Sequence, residues 1–294
     1  MLKIINKEIR SIHRALPPEE IAETSLTWKK DIHKYSPWKS TGDGNYLIAN
    51  QKTEANITVA GECSSTFDLA EVLIEESGLK EWDSLIGVSQ RSGCGRRKRR
   101  WISPPGNLYV SVVLPKISAE WQNLATVLTG FCLSSALEDM GCSTAVKWPN
   151  DIVREGKKVG GILLREKNGR TVVGVGLNLI SRPADESLQR DGAFPPGRLW
   201  EVPEEAAGPI SAWEFLVLRF KKLYDSLAVA GETERFINIV QPRLAFLNEK
   251  ILVLEPGKES PTRAVFTGID NTGRAQFVIN GQQRTLREAK ILPI

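Results

Sequence analysis

The sequence predicts an α+β fold, a mixed or antiparallel sheet with helices against it, followed by a small C-terminal β-barrel. Three observations predict it. Between residues 56 and about 245, stretches with helical periodicity alternate with short runs rich in branched residues. From about residue 246 the helical pattern stops, and short strands follow one another through tight turns. The chain has 294 residues, enough for one sizeable core and a small second domain.

Residues 1–55 are polar and uneven. Pro17-Pro18 suits a helix start, and one helix is expected to run to about Tyr35, with SPWKSTGDGN as loop. A single helix falls short of the three that a helix-turn-helix module needs, so this extension is not read as a winged helix. In residues 56–245, FDLAEVLIEES places Leu69, Val72 and Leu73 on one helical face behind Ser65-Thr66, good capping residues. SLIGVSQ and LYVSVVLP read as buried strands, and WQNLATVLTGFCLSSALEDMG as a long apolar helix stopped at Gly141. TAVKW, KKVGGILLRE and TVVGVGLNLI then read as three strands, with turns at PND, EGK and KNGR. From Ser211, Trp213, Leu216, Phe220, Leu223 and Leu227 form one stripe of an amphipathic helix. In residues 246–294, KILVLEP, RAVFTGI, RAQFVI and QRTLRE are the strands of the barrel, with turns at Asp270–Gly273 and Asn280-Gly281.

Composition narrows the function classes. The net charge of +4 suits an enzyme of anionic ligands and does not by itself indicate nucleic acid. The first twenty residues lack the apolar run of a signal peptide, and no window approaches a membrane span. Cys63, Cys94, Cys132 and Cys142 show no metal or disulfide spacing, so a cytoplasmic protein with reduced thiols is expected. The two histidines, His13 and His33, both lie near the start, which disfavours a histidine base in mid-chain.

Four segments carry candidate chemistry. In SQRSGCGRRKRRW, Gly93 and Gly95 let backbone approach a ligand, and Arg96 to Arg100 add five cations suited to carboxylate or phosphate. Trp101 is placed to cover such a site. The plainer reading is a solvated basic loop or a nucleic-acid patch. In KWPNDIVREGKKVGG, Lys147 and Lys158 would bring cations to one ligand, Gly160-Gly161 would leave room for it, and Asp151 would hold Mg²⁺. Its plainer reading is a β-meander with good turn sequences. Ser65-Thr66 reads as a helix cap or as a polar-ligand site, and GVGLNL as a glycine strand with a packing role.

Taken together, GxGRRxRxW, KWPND followed by GKKxGGIL, and GxGLN resemble the biotin–protein ligase family, well over residues 60–180 and loosely in the C-terminal TGIDNTG. The resemblance implies a catalytic domain of the class II synthetase-like biotin/lipoate ligase type and an SH3-like C-terminal barrel. It implies that Ser65 and Thr66 bind biotin's ureido ring, that Gln90 contacts biotin, and that Gly93, Gly95 and Arg96 form a loop closing over biotin and its adenylate. Trp101 would pack near the adenine, Lys158 would hold the biotin carboxylate and α-phosphate, Gly160 and Gly161 would line the biotin slot, and Asn178 would lie near the nucleotide. Lys147 and Asn150 of KWPND, with Arg97 and Arg99, complete the expected ATP contacts. Three residues depart from the family pattern: Phe67 replaces the usual Asn, Cys94 the first loop arginine, and Lys98 the later loop glycine.

The implied reaction makes biotinyl-5'-AMP from biotin and ATP with Mg²⁺. Biotin then passes to a lysine of a biotin carboxyl carrier protein. Arg96 and Lys158 are the expected catalytic residues. A monomer or homodimer, with no membrane association and no specific DNA binding, is expected. The alternatives are a lipoate ligase or acyltransferase relative, a nucleic-acid-binding protein built around RRKRR, and a degenerate biotin-binding protein without activity.

Overall fold

A computed structural model describes residues 1–76, 78–167, 169–183, 194–229 and 232–294. Its elements run, in chain order, β1 (Leu2–Ile5), β2 (His13–Arg14), α1 (Pro18–Thr24), α2 (Leu26–Lys34), β3 (Trp38–Ser40), β4 (Tyr46–Ala49), β5 (Ile57–Cys63), α3 (Thr66–Glu76), β6 (Ser84–Gln90), β7 (Leu108–Leu114), α4 (Ala125–Asp139), β8 (Ala145–Lys147), β9 (Asp151–Arg154), β10 (Lys157–Lys167), β11 (Arg170–Leu177), α5 (Pro209–Tyr224), α6 (Thr233–Val240), β12 (Lys250–Leu254), β13 (Thr262–Ile269), β14 (Ala275–Ile279), β15 (Gln282–Leu286) and β16 (Lys290–Leu292). They fall into two compact units.

The first unit holds Met1–Lys116, Gly160–Arg182 and Arg198–Lys221. Its sheet runs β3-β4-β1-β5-β6-β7-β11-β10. β5 is parallel to both β1 and β6, and the other neighbours in that order are antiparallel, so the sheet is mixed. The expected alternation of strand and helix is therefore present, with α3 seated on the sheet through Phe67, Leu69, Ala70 and Leu73 against Ile5, Leu85, Val113 and Val172.

The first 49 residues depart from the single helix expected. Three of their strands extend the sheet beyond β5. The helix is two, α1 and α2, because Ser25 between them is fully extended (φ −168°, ψ 160°) and its hydroxyl caps Trp28 N at 3.2 Å. From α2, buried Asp31 accepts from Ile210 N and Ser211 Oγ, each at 2.6 Å, and so caps α5.

The second unit holds Ile117–Val159, Pro183–Gly197 and Lys222–Ile294. The apolar helix α4 starts at Ala125, four residues later than its sequence pattern, and is buried on most sides. β8 pairs with β9, a short strand between the expected PND and EGK turns that was not among the expected strands. The C-terminal strands form an antiparallel sheet in the order β15-β14-β13-β12-β16. The expected barrel is thus a sheet with two edges, β15 and the short β16. Its turns fall where the sequence put them: Asn280 and Gly281 have φ of 52° and 76°, the backbone of a tight hairpin. The other turn reaches the KWPND segment, since Trp148 Nε1 donates to Gly273 O at 2.9 Å. Among the described residues no helix is long and apolar enough to cross a membrane.

Candidate active site

In the first unit, Ser65 is the cap of α3, its hydroxyl accepting from Asp68 N at 3.1 Å. Thr66 begins the helix and anchors a polar chain. Its backbone N donates to Gln90 Oε1 at 2.8 Å, and Ser111 Oγ on β7 donates to Thr66 Oγ1 at 2.9 Å. Gln90 Nε2 donates to Ser103 Oγ at 2.8 Å, and Ser103 Oγ donates to Trp101 O at 3.1 Å. Ser65, Thr66, Ser103 and Ser111 are all buried. A buried line of hydroxyls and amides is costly without partners, so each group fixes the next. Such a line suits a neutral ligand rich in donors and acceptors.

The basic loop leaves β6 and returns as a hairpin. Trp101 N donates to Gly93 O at 2.8 Å, and Gly95 N donates to Arg99 O at 2.7 Å. At its tip Arg97 and Lys98 have φ of 55° and 58°. This left-handed pair favours Gly or Asn, so two long side chains hold it at a cost of about 1 kcal/mol or more. Lys98 is the position where the family pattern has glycine. Gly93 has a different reason for lacking a side chain: a Cβ there would stand 2.5 Å from Trp101 O and 2.7 Å from Ser103 Oγ. Arg97, Lys98, Arg99 and Arg100 are exposed, whereas Arg96 is half-buried.

The glycine strand β11 explains itself through the same hairpin. A Cβ on Gly176 would stand 2.7 Å from Trp101 Nε1 and Cε2, so the indole lies directly on bare backbone. Gly174, two residues away on the same face, makes equal room for Phe67. Phe67 is therefore a core residue, 5% exposed, with the Arg165 guanidinium 4.7 Å from its ring centre. Gly161 pairs with Gly176 and shares the Trp101 face, while Gly160 pairs with Leu177 and shows the other face. The expected pair of slot glycines is split by the pleat. Buried Asn178 follows, and Asn107 Oδ1 accepts from Leu179 N, Ile180 N and Ser181 N at 2.9, 3.1 and 3.2 Å, pinning the chain there.

In the second unit the KWPND and GKK segments meet at one carboxylate. Lys147 Nζ lies 3.0 Å from Asp151 Oδ2, and Lys158 Nζ lies 2.6 Å from Oδ1. Asn150, between them in sequence, is half-buried. Burial pushes the Asp151 carboxyl up, but the ammoniums of Lys158 and Lys147 overcome this and hold it down at about 2. The Mg²⁺ expected at Asp151 does not fit this arrangement. Both oxygens are taken by cations, so a divalent cation there would stand against two positive charges. Lys157, one residue away, is exposed.

Of the residues expected from sequence, Thr66, Gln90, Gly93 and Trp101 are linked at the start of α3, Gly161 lies opposite Gly176 under Trp101, and Lys147 and Lys158 meet at the Asp151 carboxylate. Ser103, Ser111 and Asn107 were missed. Only strand pairing and loop return bring them in, and no local pattern marks them.

Residues 61–179 match the Biotin/lipoate A/B protein ligase family. A biotin–[acetyl-CoA-carboxylase] ligase of Paracoccus denitrificans is 32% identical over 217 residues, 69% of this chain and 87% of that protein. The bifunctional ligase/repressor BirA of Escherichia coli (strain K12) is 36% identical over 133 residues, 42% of this chain and 41% of that protein. Among solved structures, the biotin protein ligase from Aquifex aeolicus in complex with biotin and ATP has a TM-score of 0.68 at 22% identity, covering 81% of this chain and 99% of that one. That likeness bears on the fold alone.

Proposed function

The chain belongs to the biotin–protein ligase family, and from that premise we propose that it activates biotin with ATP and transfers it to a lysine of a biotin carboxyl carrier protein. The observation that carries the reading is the pair of ammoniums held on Asp151 at the family's KWPND and GKKxGG motifs. The reaction builds negative charge at phosphorus and needs fixed cations more than a nucleophile.

In the first step a biotin carboxylate oxygen attacks the α-phosphorus of ATP. The bond to pyrophosphate breaks, leaving biotinyl-5'-AMP. Lys158 is assigned to the carboxylate and α-phosphate, with Lys147, Asn150, Arg97, Arg99 and Asn178 on the nucleotide and Trp101 near its base. Arg96 shares the catalytic role, spreading charge as the phosphorus becomes more negative. Mg²⁺, when bound, would neutralise the ATP phosphates. In the second step the carrier's lysine amine attacks the mixed anhydride, and AMP leaves. Positioning supplies most of the rate in both steps.

Ser65, Thr66 and Gln90 are assigned to the ureido ring, whose carbonyl and two N–H groups suit the buried hydroxyl and amide line. Gly93 and Gly95 serve the loop that covers the adenylate from water. Gly160 and Gly161 are assigned to the biotin slot, Gly161 on the Trp101 face of β10 and Gly160 on the opposite face. The enzyme is proposed to act in the cytoplasm as a monomer or homodimer, without operator recognition, because its first 49 residues build sheet strands and two short helices.

Calorimetry tests the substrate directly. Biotin should bind and lipoate should not. Lipoate binding as tight as biotin would overturn the assignment.

A further inference from the structure

We propose that Asp151 is a positioning residue that fixes Lys147 and Lys158 for the reacting phosphate, assisted by the Phe194–Gly197 segment, and that it is not a metal ligand. The inference rests on the ligase reading above.

The geometry divides the carboxylate evenly. One oxygen takes Lys147 Nζ at 3.0 Å and the other takes Lys158 Nζ at 2.6 Å. The three side chains are only 11%, 14% and 25% exposed for Lys147, Asp151 and Lys158. Two ammoniums this sheltered repel strongly unless a negative charge lies between them. Asp151 supplies one such charge, and the cluster keeps a net charge of +1. That surplus attracts an anionic substrate. A divalent cation on the same carboxylate would instead add to two positive charges already there.

The Phe194–Gly197 segment holds both lysines from another side. Lys147 Nζ sits 5.1 Å from the centre of the Phe194 ring, which stacks on Phe246 at 4.6 Å and 29°. Lys158 N donates to Pro195 O, and Gly197 N donates to Lys158 O, both at 2.8 Å. Lys147 is thus fixed by an ion pair and a ring, and Lys158 by an ion pair and its backbone. Long lysine side chains otherwise lose rotamer freedom on binding, so fixing them beforehand favours the transition state.

The test uses Asp151→Asn, Asp151→Glu and Phe194→Leu in the full chain, with biotin-dependent ATP–pyrophosphate exchange followed over a Mg²⁺ series. Asp151→Asn should lower kcat by about tenfold or more, the usual scale for losing fixed charge at a reacting centre. The half-saturating Mg²⁺ concentration should stay put, and Asp151→Glu should recover part of kcat. Phe194→Leu should lower kcat several-fold with the carboxylate intact, which keeps the test available should Asp151→Asn fail to fold. Electron paramagnetic titration of the ligand-free protein with Mn²⁺ should find equal binding in wild type and Asp151→Asn. A raised Mg²⁺ requirement, or a Mn²⁺ site lost with Asp151, would overturn the proposal in favour of a metal ligand. Unchanged kcat in both Asp151→Asn and Phe194→Leu would overturn it outright. Wild-type protein without biotin-dependent exchange would refute the ligase reading instead. In that case, lysine ¹⁵Nζ spectra decide the positioning: two slowly exchanging ammoniums in wild type, broadened in Asp151→Asn, support it, and identical spectra overturn it.

Discussion

Replacing Gly174 by Ala tests how this chain accommodates its unusual Phe67. A Cβ at Gly174 would stand 2.3 Å from Phe67 Cε2 and 2.6 Å from Cζ, so the ring must retreat by about 1 Å to reach ordinary contact. It has little room, being 5% exposed, packed in the α3 core, and faced by the Arg165 guanidinium carbon at 4.7 Å from its centre. Overpacking of this kind costs about 1–3 kcal/mol. Phe67→Ala alone leaves a cavity and should cost about 3–5 kcal/mol. In the double variant the new methyl meets no ring and fills part of the hole, so the combined loss should fall short of the sum by about 1–3 kcal/mol. Guanidinium unfolding of the four proteins measures this cycle. Additivity within about 0.5 kcal/mol would refute the claim that Gly174 is small to admit Phe67.

Three more outcomes are expected. Lys158→Ala should slow biotin-dependent pyrophosphate release by about a hundredfold, as loss of a charge-assisted contact in a closed site does. Exposed Lys157→Ala should cost little, and equal losses would show that only bulk charge matters. Burial raises the Asp31 carboxyl to about 6 from 3.8, despite its bonds to Ser211 and Ile210, so the folded state holds this proton to higher pH than the unfolded chain does. Its contribution is fully present below pH 3.8 and is lost as pH rises through about 6, a gap of about two pH units or about 3 kcal/mol. Asp31→Asn should flatten the stability profile between pH 4 and 6.5, and an unchanged slope would contradict the assignment. Lys98→Gly should relieve the left-handed backbone at the hairpin tip by about 1 kcal/mol and slow hydrogen exchange at the Gly95 amide. Lys98→Ala, which keeps the strain, should leave exchange unchanged, and equal slowing in both would remove the backbone explanation.

The elements with local signals were legible in the sequence. Ser65 caps α3, β6, β7 and β11 fall on their branched runs, and Asn280-Gly281 turns the last long hairpin. Features set by distant partners were not. β1 gains its identity by pairing in parallel with β5, more than fifty residues later, and three-residue strands such as β3 and β16 carry too little pattern to register. Asp31 carries no local mark in the sequence, because its partners are Ile210 and Ser211, 179 and 180 residues away. The site divides in the same way. KWPND and GKKxGG could be read because their chemistry is contiguous, but the metal role given to Asp151 failed to anticipate that both lysines would turn onto it. Phe67, which departs from the family pattern, is a core ring matched to Gly174.

The central claim is that this chain turns biotin and ATP into an adenylate. Incubating the purified protein with Mg²⁺ and labelled ATP, with and without biotin, tests it most directly. The account predicts pyrophosphate release that requires biotin and that lipoate does not support. Release that is independent of biotin, or none under any condition, would contradict it.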